Sequence, residues 1–473
     1  MGDVDAGRDV FRFETFGTEG FWTDAVRMPQ GMAAKRVTML AALKSGVSFD
    51  SEAMPDDLRE KIAAELKTDL SKANAPTIND PTQLPKLIGM NAVIGMVQRN
   101  GKVGVTCALC HAITDKSVYA FGSKGSVGKR IDGPTPHGLE VGKLLALGAN
   151  SRALYPTLQL DMGGKAIGRV ATHRLNKNST EAQVDAYLND PKAYPTGTFD
   201  DSPDGIGNSI HITPFFRQDL AAPFGSSGQN DRLEDFNNTV YTALFDQSNL
   251  LTPGGKAFMH ALGGAGGDKI TADYAYVLKA TGVKNYPYVD APLAGKPGAP
   301  PTPTGKRVDG VRLRALNSYV VSLRAPAGLA GDPASIARGR ETFRAQCTSC
   351  HNSDSSKPVD ARLFPLKTLW PAYRPMTIAK RMPPLDPIRN SPGTFDDKMI
   401  VVDASPGGGL RGNALPLLLD LARKPVFLKD DSVKGLEALL SPRRGASAPH
   451  PFYVQDRWRR RDVVAFLRSL DDR

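Results

Sequence analysis

The sequence predicts a mainly α protein with long glycine- and proline-rich loops and little β structure, divided into more than one domain. Three observations carry this. Apolar residues recur at helical spacing in both the first and the last parts of the chain. Glycine (46) and proline (36) together exceed their usual share, which favours loops over regular structure. The 473 residues are too many for one compact core of ordinary size, so two or three domains are expected.

The elements follow in order. Residues 1–75 open with the aromatic-rich "FRFETFGTEGFW". A helix is then predicted over 55–70, with Pro55 suited to a first turn and Leu58, Ile62, Leu66 and Leu70 on one face. The alternating valines of "KVGVTCALCH" predict an extended approach to Cys107. From about 112 to 310 short helices are expected at 137–147, 181–188, 232–246 and 271–280, and "PLAGKPGAPPTPTGK" (292–306) reads as a linker or a rigid surface arm. In "DPASIARGRETFRAQCTSCH" a capped helix precedes Cys347, with Ile336, Gly339 and Phe343 at helical spacing. The chain closes with "RRDVVAFLRSLDD", where Val463, Phe466, Leu467 and Leu470 form one apolar stripe. Phe343 and Phe466 read as core.

Composition narrows the function classes. Hydrophobic residues at 41% are enough to bury real cores, and no apolar run is long enough to span a bilayer. The polar, acidic start "MGDVDAGRDVFRF" lacks the regions of a signal peptide, so the chain is expected to begin at its mature end. The net charge is +11 with scattered basic residues, and no nucleic-acid motif is present. The densest cluster, "RWRRR" at 457–461, is either a solvated face or a docking surface for an acidic redox partner.

The chemistry lies in the four cysteines. All of them sit in two pentapeptides, "CALCH" (107–111) and "CTSCH" (347–351). A disulfide framework would need cysteines elsewhere. A zinc site from two CxxC pairs does not require a histidine after each pair, and a thioredoxin-like site would want one copy. CxxCH is the attachment sequence of c-type haem: the two thiols add to the vinyl groups of one porphyrin and the histidine reaches the iron. Two covalently bound haems c are therefore expected, one on Cys107, Cys110 and His111, the other on Cys347, Cys350 and His351. Such attachment takes place outside the cytoplasm, so a periplasmic or secreted location is expected. The domains follow: an N-terminal extension (1–75) packing on a first haem domain (76–325) with long insertions, and a second haem domain (326–473).

Two distant CxxCH motifs, a helix before the second, and "GLRGNALPLLLDLARKPVFLKDDSVKGLEALL" (409–440) resemble the bacterial dihaem cytochrome c peroxidase superfamily. That group includes the methylamine-utilisation dihaem enzyme and the dihaem rubber oxygenases. The last segment is similar to the superfamily's "R-x-P-x-L-…-P-Y-x-H-D-G-S-V-x-T-L". The resemblance covers both haem motifs and most of the last third. Residues 1–100 and 150–310 match weakly or not at all. It implies two cytochrome c-like haem domains with unequal haems: a first that binds peroxide or dioxygen, and a second, six-coordinate, that relays electrons. A small redox protein or other electron donor or acceptor would be the partner, and calcium between the haems is common in the group.

Where the pattern breaks, the ligands change. Peroxidases of this group place a methionine about fourteen residues after the "HDG" histidine. Aligned on Ser432 and Val433, that histidine is Lys429 here and the methionine position is Arg443. His450 falls where rubber-oxygenase-like sequences carry a histidine near the C terminus, and it is the expected sixth ligand of haem 2. Met376, Met382 and Met399 compete, the last two better spaced. For haem 1, His137, His173, His211 and His260 have no supporting context, so an open face is expected. "HITPFFRQDLAAPFGSSGQNDRLEDF" (211–236) resembles the segment ending "W-D-G-R-x-x-x-L-E-x-Q". By that likeness Phe215 and Phe216 are candidates for an apolar lid, Arg217 for charge stabilisation and Glu234 for acid–base work. Their plainer roles are core and surface ions. The group's distal "N-P-x-E-M" has no clear match. A redox enzyme activating peroxide or dioxygen is the first reading, a non-catalytic electron-transfer dihaem cytochrome the second, and a haem-based sensor the third.

Overall fold

The computed structural model describes residues 2–161, 174–205, 207, 209–220, 224–225, 230, 232–298, 301–354, 364–369, 386–389, 400–403, 412–413, 416–428, 431 and 433–471. Met376, Met382, Met399, His173 and Lys429 lie outside them. Helices dominate. The strands run two to four residues, and among the described residues the widest sheet has three strands. Two main hydrophobic cores form, one from residues between Val10 and Val320, the other from residues between Phe343 and Leu467.

The first core gathers residues from the first two thirds of the chain. The Val4–Phe13 helix starts where the Asp3 carboxylate accepts from the amides of Asp5 and Ala6. It packs on a second helix, Gly310–Ser322, with the Phe11 and Tyr319 rings 5.6 Å apart and Arg312 paired to Glu14 at 2.8 Å. The predicted 55–70 helix is shorter, Asp56–Glu65. Its end is set by Glu65, whose buried carboxylate accepts from the amides of Thr77 and Ile78, and Leu70 turns left-handed at φ 61°. The extended approach to Cys107 is a hairpin, Met96–Arg99 on Lys102–Val105, turned by Asn100 and Gly101, both at positive φ.

The middle of the chain is more ordered than its glycine and proline content suggests. Glu181–Asn189 begins with a full capping box on Thr180 and Gln183. Leu233–Thr239 continues as a π-helical turn, Val240–Leu244. Pro253–Gly263 and Ala265–Ala280 form a helix pair, and the predicted 137–147 helix shrinks to Val141–Leu145. The described residues of 292–306 form a docked loop. Leu293 bridges Lys306, Thr302 and Thr304 are buried, and the Asn238 amide donates to the carbonyls of Pro301 and Lys306. Those carbonyl bonds replace what water would have supplied to a free linker.

The second core is built on a helix crossing. Asp332 caps Pro333–Gln346, and Asp456 caps Arg457–Ser469. The two helices meet at Gly339, where a Cβ would sit 2.0 Å from the carbonyl oxygen of Asp462, so only glycine permits the approach. Asp462 accepts from Ser335 at 2.5 Å and Arg338 at 2.8 Å, and the Phe343 and Phe466 rings pack 5.4 Å apart. Val463, Phe466 and Leu467 are buried, as their spacing predicts.

Candidate functional site

The hairpin ending at Val105 delivers Cys107 to a single helical turn, Ala108–His111. The chain then leaves as strand Ala112–Thr114, paired antiparallel with Arg130–Asp132. His111 is thus fixed on both sides by backbone pairing. Both thiols of the motif are unpaired. Burial pushes the Cys107 thiol up to about 11 and that of Cys110, whose residue keeps some exposure, to about 12. Both are therefore protonated at neutral pH. The hydroxyl of the fully buried Tyr241 lies 3.4 Å from Cys107 Sγ, a contact with no signal in the motif itself.

Phe215 lies flat on the His111 ring, centroids 3.8 Å apart and planes 8° apart. Backbone bonds hold it there: Gly133 donates to the His111 carbonyl at 2.7 Å, and Phe215 donates to the Gly133 carbonyl at 2.8 Å. Gly133, at φ 107°, is pressed by the next ring, and a Cβ there would meet Phe216 Cε1 at 2.5 Å. Burial lowers the His111 pKa to about 4, against the pull of the Thr213 carbonyl, so the ring is neutral. Its Nδ1 is buried without an aligned hydrogen bond.

At the second motif, Cys347 caps the Pro333–Gln346 helix and the His351 amide donates to the Cys347 carbonyl at 2.9 Å. Facing His351 is His450, ring centroids 6.1 Å apart and planes 56° apart. His450 sits at a left-handed φ of 54°. Its amide donates to the Leu369 carbonyl at 2.6 Å, and Arg444 donates to the carbonyls of Leu439, Pro449 and His450. Burial, then His351 and Arg444, lower the His450 pKa to about 4, and burial lowers that of His351. Nδ1 of both rings is buried with no hydrogen-bond partner.

These observations fit haem c at both motifs. Each pair of reduced thiols flanks a neutral imidazole, the form that ligates a metal. Two imidazoles sharing one metal, each about 2 Å from it, place their ring centres about 6 Å apart, which is the spacing of His351 and His450. Cys107, Cys110 and His111 would hold one group, and Cys347, Cys350, His351 and His450 the other. Between the motifs runs an apolar path. Phe216 packs with Ala325, Leu323, Leu417 and Leu419, and Leu417 also belongs to the cluster containing Cys350 and Leu369.

The remaining candidates divide. Arg217 is held by Asp219, Nε to Oδ1 at 3.0 Å. Glu234 joins an ion network with Arg232 and Arg307 at 3.1 and 3.2 Å. His260 is exposed and paired to Asp268 at 2.9 Å. His211 is buried and His137 half-buried, and the two stack on one another, centroids 5.5 Å and planes 19° apart. His211 Nδ1 lies 2.8 Å from Asp431 Oδ1, within ion-pair reach though off hydrogen-bond alignment. Burial lowers both imidazole pKa values, that of His137 to about 3 with help from His211, Lys424 and Arg423. Nothing in the sequence flags this cluster, because Asp431 and Lys424 reach it from the last third of the chain. Among the described residues no group of three or more His, Cys, Asp or Glu side chains forms a cage for a metal ion, so none of them is assigned to calcium. No helix of the described residues is long and apolar enough to cross a membrane.

No family model and no curated protein matches the chain. Among solved structures it is similar to Kuenenia stuttgartiensis hydrazine synthase pressurised with 20 bar xenon, at 13% identity over 58% of this chain and 77% of that one, with a TM-score of 0.31.

Proposed function

We propose that the chain is a dihaem c-type cytochrome of the kind its motifs resemble, with two unequal haem sites. Residues 1–325 would carry the first and 326–473 the second, each with one core of its own. The second, held by Cys347, Cys350 and His351 and capped by His450, would relay electrons. The first, on Cys107, Cys110 and His111, would meet peroxide or dioxygen. Haem supplies the redox chemistry when bound. The chain's residues keep both proximal imidazoles neutral, close the second site with His450, and bridge the two motifs with Phe215, Phe216 and Leu417. The partners would be a small redox protein and the oxidant, in a periplasmic or secreted setting.

One observation carries the reading, the unequal company of the two motif histidines. His351 faces a second imidazole at metal-bridging distance. His111 faces Phe215, while His137 and His211 are engaged with one another. Arg217 and Glu234 remain candidates for the oxidant side, with Asp219 and Arg307 as the partners they would have to share.

The ferric absorption spectrum tests this. A high-spin band beyond about 600 nm, shifted by cyanide, is expected from one haem of two by pyridine haemochrome. Two low-spin haems, inert to cyanide and carbon monoxide, would make the protein an electron carrier.

A further inference from the structure

We propose that the first turn of the Arg457–Ser469 helix, where Trp458 stands among Arg457, Arg459 and Arg461, is a docking surface for an acidic electron-carrying protein. This rests on the relay reading of His351 and His450.

Helix physics argues that the cluster is there for something other than the helix. Cations in a first turn oppose the macrodipole and the unpaired amides, yet four of the first five residues are arginines, behind the Asp456 cap. Arg460 alone turns inward, bonding Glu437 at 2.7 Å and the Val454 carbonyl at 2.8 Å. Arg457, Arg459 and Arg461 are exposed, and among the described residues none makes an ion pair. Trp458 is 67% exposed, and the Arg461 guanidinium sits 4.9 Å from its ring centre. Trp and Arg are among the residue types enriched where interfaces concentrate their binding energy, and a cation over an indole face is attracted to it.

The occupant follows from charge and position. Three unpaired arginines call for an acidic partner, and a net charge of +11 repels a second copy of the chain. A lipid surface fits less well: the helix's apolar stripe, Val463, Phe466 and Leu467, is already buried against Phe343, leaving no apolar face to insert. A redox protein fits the location. The turn begins at Arg457, seven positions after His450. The His450 ring contacts Phe452 at 5.2 Å edge-on, and Phe452 is 44% exposed. A docked carrier would give up one electron and one ferric centre beside His450 would become ferrous, with no bond or proton exchanged.

The test titrates the full-length, haem-loaded protein with plant-type [2Fe–2S] ferredoxin, an acidic probe, by calorimetry at low and physiological ionic strength. The triple variant Arg457→Glu, Arg459→Glu, Arg461→Glu should weaken binding at least about tenfold at low salt, and Trp458→Ala about three- to tenfold. The gap should narrow as salt rises. Because the glutamates favour the helix dipole, the triple variant's Tm should equal or exceed the parent's, which separates lost docking from lost folding. Affinities within about twofold of the parent in both variants would overturn the proposal. So would phosphatidylserine vesicles that bind the parent and lose the variants while ferredoxin binding is unchanged. A dithionite control separates the two readings. If that strong reductant changes no haem band, the dihaem reading fails and the calorimetry judges docking alone.

Discussion

His450 lies across 6.1 Å from His351 and holds a backbone angle, φ 54°, that a non-glycine residue seldom adopts. Such a conformation costs about 1 kcal/mol or more and persists where surrounding bonds enforce it. The Leu369 carbonyl and the Arg444 guanidinium provide those bonds. The constraint is local, and its one evident effect is to aim an imidazole.

Replacing His450 by Ala should therefore turn the second haem high-spin and carbon monoxide-reactive without changing haem content, as read by electron paramagnetic resonance. His450→Met should keep it low-spin and raise its potential, because a thioether ligand favours the ferrous state. An unchanged spectrum in the alanine variant would hand the ligand role to a methionine.

Phe215 is the residue to change at the first site. Phe215→Ala removes a buried ring stacked on His111 and should cost about 3–5 kcal/mol in urea unfolding, with cyanide affinity altered at the first haem alone. Phe216→Leu, a smaller truncation that keeps the cluster with Leu419 and Leu417 apolar, should leave both spectra intact.

The His137–His211 pair predicts an acid limb in stability. Facing His137 are His211, Lys424 and Arg423, with Asp431 beside His211. The folded pKa of His137, about 3, lies below its ordinary value of 6.5. The unfolded chain therefore binds the proton first, and stability is full above the ordinary value and falls as pH drops toward the folded one. The slope for one such histidine is about 1.4 kcal/mol per pH unit at most. His137→Gln should flatten the limb between about pH 6 and 4 in denaturant titrations. A limb of unchanged slope would mean that other groups carry it.

Gly339→Ala should be worse than its size suggests. The new methyl meets the Asp462 carbonyl, which is backbone and cannot rotate away. The helices must separate, at a cost of about 1–3 kcal/mol, and the second core should unfold at lower urea while the first transition stays put.

Much of this was legible in residue order. The motif histidines and the glycine between Ile336 and Phe343 occupy positions that spacing alone marks, and His450 is singled out by the family resemblance. What escaped was hidden by local signals pointing the other way. Asp309–Gly310 and Pro253–Gly254–Gly255 read as turns, yet Asp309 and Thr252 cap the helices that begin there. The 292–306 arm is rich in glycine and proline, but Asn238 and Asn249 tie it down, and a partner some fifty residues away leaves no mark in a composition window. The cluster of His137, His211 and Asp431 is long-range in the same way.

The depth of the Cys107 and Cys110 sulfurs bears on how the protein is made. Thioether formation needs reactive sulfur, and once the first core closes, both thiols are protonated and Cys107 is buried. On the dihaem reading, the porphyrin has to be stitched to the nascent or still-open polypeptide, and the Val10–Val320 body then shuts around it. Manufacture would run cofactor first, architecture second.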